Sequence, residues 1–199
     1  EIRRIDPNDS SSYFGVFTTA PIKYDELLMG IPGNMRIEVV DDDRDRTYEE
    51  IVCELSWMLK KEYEDGKESK YHPYINYLKT QAKGQIPAEW SEVGKKLLLK
   101  VQGDLRISDA NEEADPEAMV QWLEVLANEE CVLANGESLG PHYIALTVQR
   151  GFDWAMIPIY DMVNHDSGCN INTEAKDSIF AEEGFAVHAL RDLEAGEEL

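Results

Sequence analysis

Ile157-Pro158-Ile159-Tyr160-Asp161-Met162-Val163-Asn164-His165-Asp166-Ser167-Gly168-Cys169-Asn170 is the stretch on which the reading of this chain turns. Its first residues, with Met156, are short and apolar and read as a strand as far as Tyr160. The polar run that follows sits at a strand end, where a fold holds side chains in fixed positions. Asn164 offers an amide that donates and accepts, and His165 a ring that bonds through either nitrogen. A strand-to-loop turn rich in Asn, Asp, Ser and Gly has the same composition. Local composition therefore leaves a site and a plain turn both open.

Working outward, strands flank a helical middle. Toward the N-terminus, Tyr13, Val16 and Phe17 precede the turn-like Thr18-Thr19-Ala20-Pro21, and Glu26 to Ile31 reads as a strand broken by Pro32-Gly33-Asn34. Met35 to Val39 alternates apolar and charged, which suits a half-buried strand. From Thr47 to Phe152 the period becomes helical: Ile51, Leu55, Met58 and Leu59 share a face. Thr47 with Glu50 is a capping-box signature, and Gly66 marks a helix stop. Tyr74–Leu78, Pro87–Val101, Pro116–Cys131 and Leu139–Arg150 are further helical stretches, with Pro87 and Pro116 suited to a first turn. Beyond Trp154, Ser178–Ala181 and Phe185–Leu190 read as strands joined at Glu183-Gly184. This order predicts an α+β fold: a β domain from residues 1–46 and 153–199, split by an inserted helical region at 47–152. Ala20–Leu27 and Leu190–Leu199 echo each other as a turn ending in an acidic residue before a strand. Two copies do not make a repeat architecture.

Forty acidic residues against 19 basic give a formal net charge of -21 over 199 residues. Such a chain repels nucleic-acid phosphates and anionic lipid, and attracts a basic peptide at long range. The same surface also simply keeps a protein in solution. No stretch approaches a membrane span, and no basic segment leads into an apolar run at the N-terminus. Cys53, Cys131 and Cys169 are odd in number and widely spaced. They predict a reducing, intracellular setting with no disulfide and no structural zinc. Three of the four histidines, His142, His165 and His188, lack metal-ligand spacing, so no metal is expected. Dinucleotide, phosphate-loop and hydrolase-elbow motifs are absent. Arg150 ends a helix, where a cation is favourable by itself, by about 0.3–1 kcal/mol, and where it is also placed to meet a ligand carboxylate. The abrupt start at Glu1 and stop at Leu199 read as a fragment at both ends.

Taken together, Tyr13-Phe14-Gly15-Val16-Phe17, Asp25-Glu26-Leu27-Leu28, the helical insert, the Asp161-x-x-Asn164-His165 segment and the closing Val187-to-Leu199 run resemble the SET-domain methyltransferases. The resemblance is to the branch of the Rubisco large-subunit lysine methyltransferase, which also holds the actin-histidine methyltransferase. Tyr71-His72-Pro73-Tyr74 to Leu78 resembles that branch's W-x-P-Y-x-x-x-L, with Tyr71 in place of Trp. The resemblance implies a SET-type β-clip and an S-adenosylmethionine cofactor. It implies that Glu26, Leu27 and Leu28 line the cofactor pocket, and that Arg150 meets the cofactor carboxylate. Asn164 and His165 then contact its backbone and adenine, and Asp161 lies near the target side chain. The implied activity is methyl transfer to a lysine of a protein or peptide, with a histidine nitrogen as the other target. Oligomeric state is not legible.

The chain departs from that pattern in three ways. The N-terminal glycine motif keeps Gly15 only, with Tyr13 where a second glycine is expected, which also suits a non-catalytic module that binds peptide or cofactor. The family's catalytic tyrosine falls beyond Leu199, so no catalytic residue is assigned. The branch's C-terminal helical substrate-binding domain is not part of this sequence.

Overall fold

The computed structural model describes residues 1–9, 12, 14–39, 45–81, 90–103, 123, 125–133, 135–152, 155–163, 171–178 and 184–199. Two compact units emerge: residues 1–37 with 155–199, and residues 38–154.

The first unit is built from short antiparallel strands. β1 (Ile2–Arg4) pairs with β2 (Phe14–Val16), with Arg3 opposite Gly15. A second sheet has β8 (Gly184–Ala189) at its centre, between β3 (Leu27–Ile31) and β7 (Thr173–Ser178). The central strand buries nearly every residue, as a strand covered on both faces does. Ile31, Ala155, Ile157, Phe185 and Val187 form one apolar cluster. Val16, Ala189, Leu193 and Leu199 form another, and Leu28 and Met29 pack against both.

The echo seen in the sequence is a real structural repetition of one turn. Glu26 donates its backbone N–H to the Lys23 carbonyl, and its carboxylate accepts from the Lys23 N–H. Glu197 does the same with Glu194. The turns lean on each other through reciprocal Ile22–Leu193 backbone bonds of 2.9 Å each way. Asp25 N–H reaches the Ala189 carbonyl as Gly196 N–H reaches that of Thr18.

The second unit is helical. α1 (Tyr48–Asp65) starts at Thr47, where both bonds of the capping box form, and stops at Gly66 with φ 56°. α2 (His72–Leu78) carries proline in its first turn, and α3 (Glu92–Gly103) follows. A π-helical turn spans Leu126–Glu130, and α4 (Pro141–Arg150) ends at the arginine singled out above. Val52, Leu123, Leu126, Ala127, Cys131, Leu139, Ile144 and Ala145 make the apolar centre of this unit. Short strands β4 (Ile37–Glu38), β5 (Gly151–Phe152) and β6 (Ala155–Met156) complete the elements.

Several expectations are corrected. The strand expected at Met35–Val39 is only Ile37–Glu38, because the turn at Gly33–Met35 runs into it. The strand expected to reach Tyr160 stops at Met156. Pro158 has no N–H to give a ladder, and Ile159 turns to φ 75°. Of the strand expected at Ser178–Ala181 only Ser178 is described, and it belongs to β7 (Thr173–Ser178), which pairs with β8 despite its polar composition. Residues 179–183 lie outside the described residues, as do Pro87 and Pro116. The cysteine reading is overturned: Cys53 on α1 and Cys131 after the π-turn form a disulfide, their Cα atoms 5.0 Å apart. Sequence spacing cannot show that two cysteines 78 residues apart fold to bonding distance.

Candidate functional site

In the β unit, the segment Glu26–Leu28 lies at the start of β3, where its register against β8 shifts. Leu27 faces His188 and Met29 faces Val187, so Leu28 is the extra residue of a bulge. A bulge re-aims side chains and bends a strand, and bulges are common beside active sites. Leu27 is 55% exposed, whereas Leu28 points into the apolar clusters. Glu26 offers its carbonyl to the Ala189 N–H at 3.0 Å, and its carboxylate is engaged by the Lys23 N–H.

Asp161 is half-buried in the 3-10 turn Tyr160–Met162. The turn is tied down by Asp161 N–H to the Ile157 carbonyl at 3.2 Å and Val163 N–H to that of Tyr160 at 2.9 Å. Tyr160 packs edge-on against Phe185 with ring centres 4.7 Å apart. Ile159, ahead of the turn, has a positive φ that a β-branched residue adopts at a cost of about 1–3 kcal/mol. Met162 and Val163 pack with Leu28 against Val16 and Leu199. The β unit thus brings together the start of β3, the turn carrying Asp161 and the closing segment.

That closing segment is laced to β2 and the turn after it. Thr18 is buried, its hydroxyl donating to the Glu194 carbonyl at 2.6 Å and accepting from the Glu197 N–H at 3.1 Å. Thr18 N–H bonds the Glu197 carbonyl, and Leu199 N–H bonds that of Val16. Asn172 donates its side-chain amide to the Glu198 carbonyl at 2.6 Å. Arg191 pairs with the Glu197 carboxylate, and this hydrogen bond holds the carboxyl below its usual range.

In the helical unit, Arg150 closes α4. Its Nη1 donates to the Tyr77 hydroxyl at 3.1 Å and its Nη2 to Gln81 Oε1, while its Cζ lies 5.4 Å from the centre of the Tyr77 ring. The helix that carries it is anchored by a buried Ser56–Thr147 hydroxyl bond of 2.9 Å between α1 and α4. Tyr77 and Gln81 escaped the sequence reading. Tyr74, Tyr77 and Gln81 are spaced to share a helical face, a signal for a common surface but not for what it touches. A cavity of about 450 Å³ in this unit is lined by Arg46, Glu49, Glu54, Trp57 and the Cys53–Cys131 disulfide, and by none of the residues expected from sequence.

Asn164 and His165 lie outside the described residues. Among the described residues no cluster of His, Cys, Asp and Glu suits a metal ion. Among them, no helix is long and apolar enough to cross a membrane.

Comparison with solved structures finds the SET domain of LSMT bound to lysine and AdoHcy, at a TM-score of 0.57 and 14% identity. The match covers 100% of this chain and 48% of that one, so this chain spans about half its length. At that identity the likeness speaks for the fold. No curated protein matches. The family model for the SET domain matches residues 13–199. Nearly the whole sequence, from before β2 to the closing Leu199, therefore belongs to the SET-domain family.

Proposed function

We propose that this chain is the SET domain of an S-adenosylmethionine-dependent protein N-methyltransferase, with a lysine side chain as target and a histidine nitrogen as the other candidate. The observation that carries the reading is the SET match over residues 13–199. The lacing of the closing segment to Thr18 and Val16 and the solved neighbour titled as bound to lysine and AdoHcy support it.

The residues fit the chemistry of such a cofactor, taken one at a time. Arg150 is a half-buried guanidinium at a helix end, oriented by two neutral oxygens, and suits a carboxylate. By the resemblance given above Glu26, Leu27 and Leu28, at the bulged start of β3, line the cofactor pocket. Asn164 and His165 take the adenine end by the same resemblance. The cofactor, when bound, supplies a methyl group on a sulfonium for transfer to a neutral nitrogen.

Asp161 orients the incoming side chain. A free lysine has a pKa near 10.4 and arrives protonated, and a carboxylate attracts that cation. Asp161 therefore recruits and holds the ammonium rather than lowering its pKa. Loss of the proton falls to desolvation in a narrow channel. The acidic surface, with a net charge of -21, favours a basic segment of a protein or peptide as partner.

Tyr13, standing where a glycine is usual, favours a second reading: a module that binds cofactor or peptide without turnover. Calorimetric titration of S-adenosylmethionine into the chain tests both, alongside a label-transfer assay on lysine-rich peptides. Binding with transfer supports the enzyme, and binding without transfer supports the module. A folded chain that binds nothing overturns both.

A further inference from the structure

We propose that Tyr77 and Gln81 are positioning residues that aim the Arg150 guanidinium at a ligand carboxylate, a role that rests on the reading of Arg150 given above. Arg150 is a long side chain with about 2 kcal/mol of rotamer entropy to lose when it is fixed. Binding is tighter when that loss is met before the ligand arrives. Here two anchors bind opposite amino groups of the fork: the Tyr77 hydroxyl at Nη1 and the Gln81 side-chain oxygen at Nη2. The Tyr77 ring lies 5.4 Å from the guanidinium carbon, so the same residue also attracts the cation through its π face.

Both anchors are neutral, so they orient the charge without cancelling it. They are themselves held: Tyr77 stacks on the buried Tyr74 with ring centres 6.4 Å apart, and Gln81 Nε2 donates to the Tyr77 carbonyl at 3.4 Å. α2 and the turn after it thus form a bracket for the last residue of α4. Aspartate or glutamate at these places would tie Arg150 into an internal ion pair and compete with an anionic ligand.

The test compares two probes that share an adenosine thioether but differ in the amino-acid tail: S-adenosylhomocysteine, which has the carboxylate, and methylthioadenosine, which lacks it. Each is titrated by calorimetry into the wild-type chain and into Tyr77→Phe, Gln81→Met and Arg150→Ala, with melting temperature measured in parallel. Tyr77→Phe keeps the ring and Gln81→Met keeps the length, so each removes one acceptor. Each is expected to weaken S-adenosylhomocysteine by about three- to tenfold, as loss of an ordinary intramolecular hydrogen bond does, and to leave methylthioadenosine unchanged. Arg150→Ala should abolish the preference between the probes. Equal weakening on both probes, or none on either, overturns the positioning role while leaving Arg150 as carboxylate partner. A wild-type chain that shows no preference, or binds neither probe, overturns the reading of Arg150 and the bracket with it.

Discussion

Asp25 and Gly196 occupy the same place in two copies of one turn, each one residue before the glutamate whose carboxylate accepts the first N–H of the turn. Both take a positive φ, 64° and 86°. Left-handed backbone costs an L-residue about 1–2 kcal/mol, least for Asp and Asn, and glycine nothing. Gly196→Ala should therefore lower stability by about 1–2 kcal/mol. Asp25→Gly trades relief of that strain against added freedom in the unfolded chain and should stay within about 0.5 kcal/mol of wild type. Chemical denaturation of both variants measures the asymmetry. Equal losses would show that backbone conformation is not what distinguishes these positions.

What the sequence made legible was local. The Thr47–Glu50 box and the Gly66 stop depend on neighbours within one helical turn, and both stand as read. The duplicated turn was visible because its acceptor glutamates lie in the motif itself. Everything set by distant pairing was harder. The register of β7 is decided by β8, and the stop at Met156 by Pro158 together with a backbone angle at Ile159 that no propensity encodes. Arg150 was readable as a cation at a helix end. Its bracket was not, because Tyr77 and Gln81 lie 73 and 69 residues away. The Asp161 turn and the Glu26–Leu28 strand could be named from a resemblance, yet the bulge at Leu28 required the fold.

The Cys53–Cys131 bond closes a span of 78 residues within the helical unit. Constraining a loop of that length in the unfolded chain stabilises by about 4.5 kcal/mol in the chain-entropy account. Cys53→Ser should lower stability by about 2–5 kcal/mol, and a dithiol reductant should do the same to wild type but nothing further to the variant. Thiol titration of the unreduced, denatured chain should find one free thiol of three. Three free thiols, with melting indifferent to reductant, would remove the bond from the account.

Gly151 follows Arg150 directly, and a β-carbon there would stand 2.6 Å from the Thr147 carbonyl oxygen. That contact is with backbone, so something must shift. Gly151→Ala should cost about 1–3 kcal/mol, the usual range for overpacking. Because the displaced residue adjoins Arg150, S-adenosylhomocysteine should also bind more weakly. Urea denaturation with calorimetry checks both, and an unchanged midpoint would mean the helix end relaxes freely.

Tyr63 on α1 supplies the pH prediction. Its hydroxyl is buried with no hydrogen-bond partner among the described residues. Its ring meets Tyr143 edge-on at 5.3 Å, with His142 and the Lys79 ammonium also against it. Burial first, and then Tyr143, push its pKa up to about 12 from an ordinary 10.0. The folded state thus holds this proton more tightly than the unfolded state does. The resulting stability is fully present below about pH 10 and is lost as pH rises from there through about 12. Tyr63→Phe has no proton to lose, so its denaturation midpoint should fall less steeply than that of wild type above pH 10. Near neutrality the variant should be as stable as wild type or more so, since it removes a buried hydroxyl that has no hydrogen-bond partner among the described residues. Absorbance titration of the phenols gives a second readout, because the variant should lose a late-ionising group. Parallel alkaline profiles for the two proteins would show that Tyr63 ionises as an exposed phenol does.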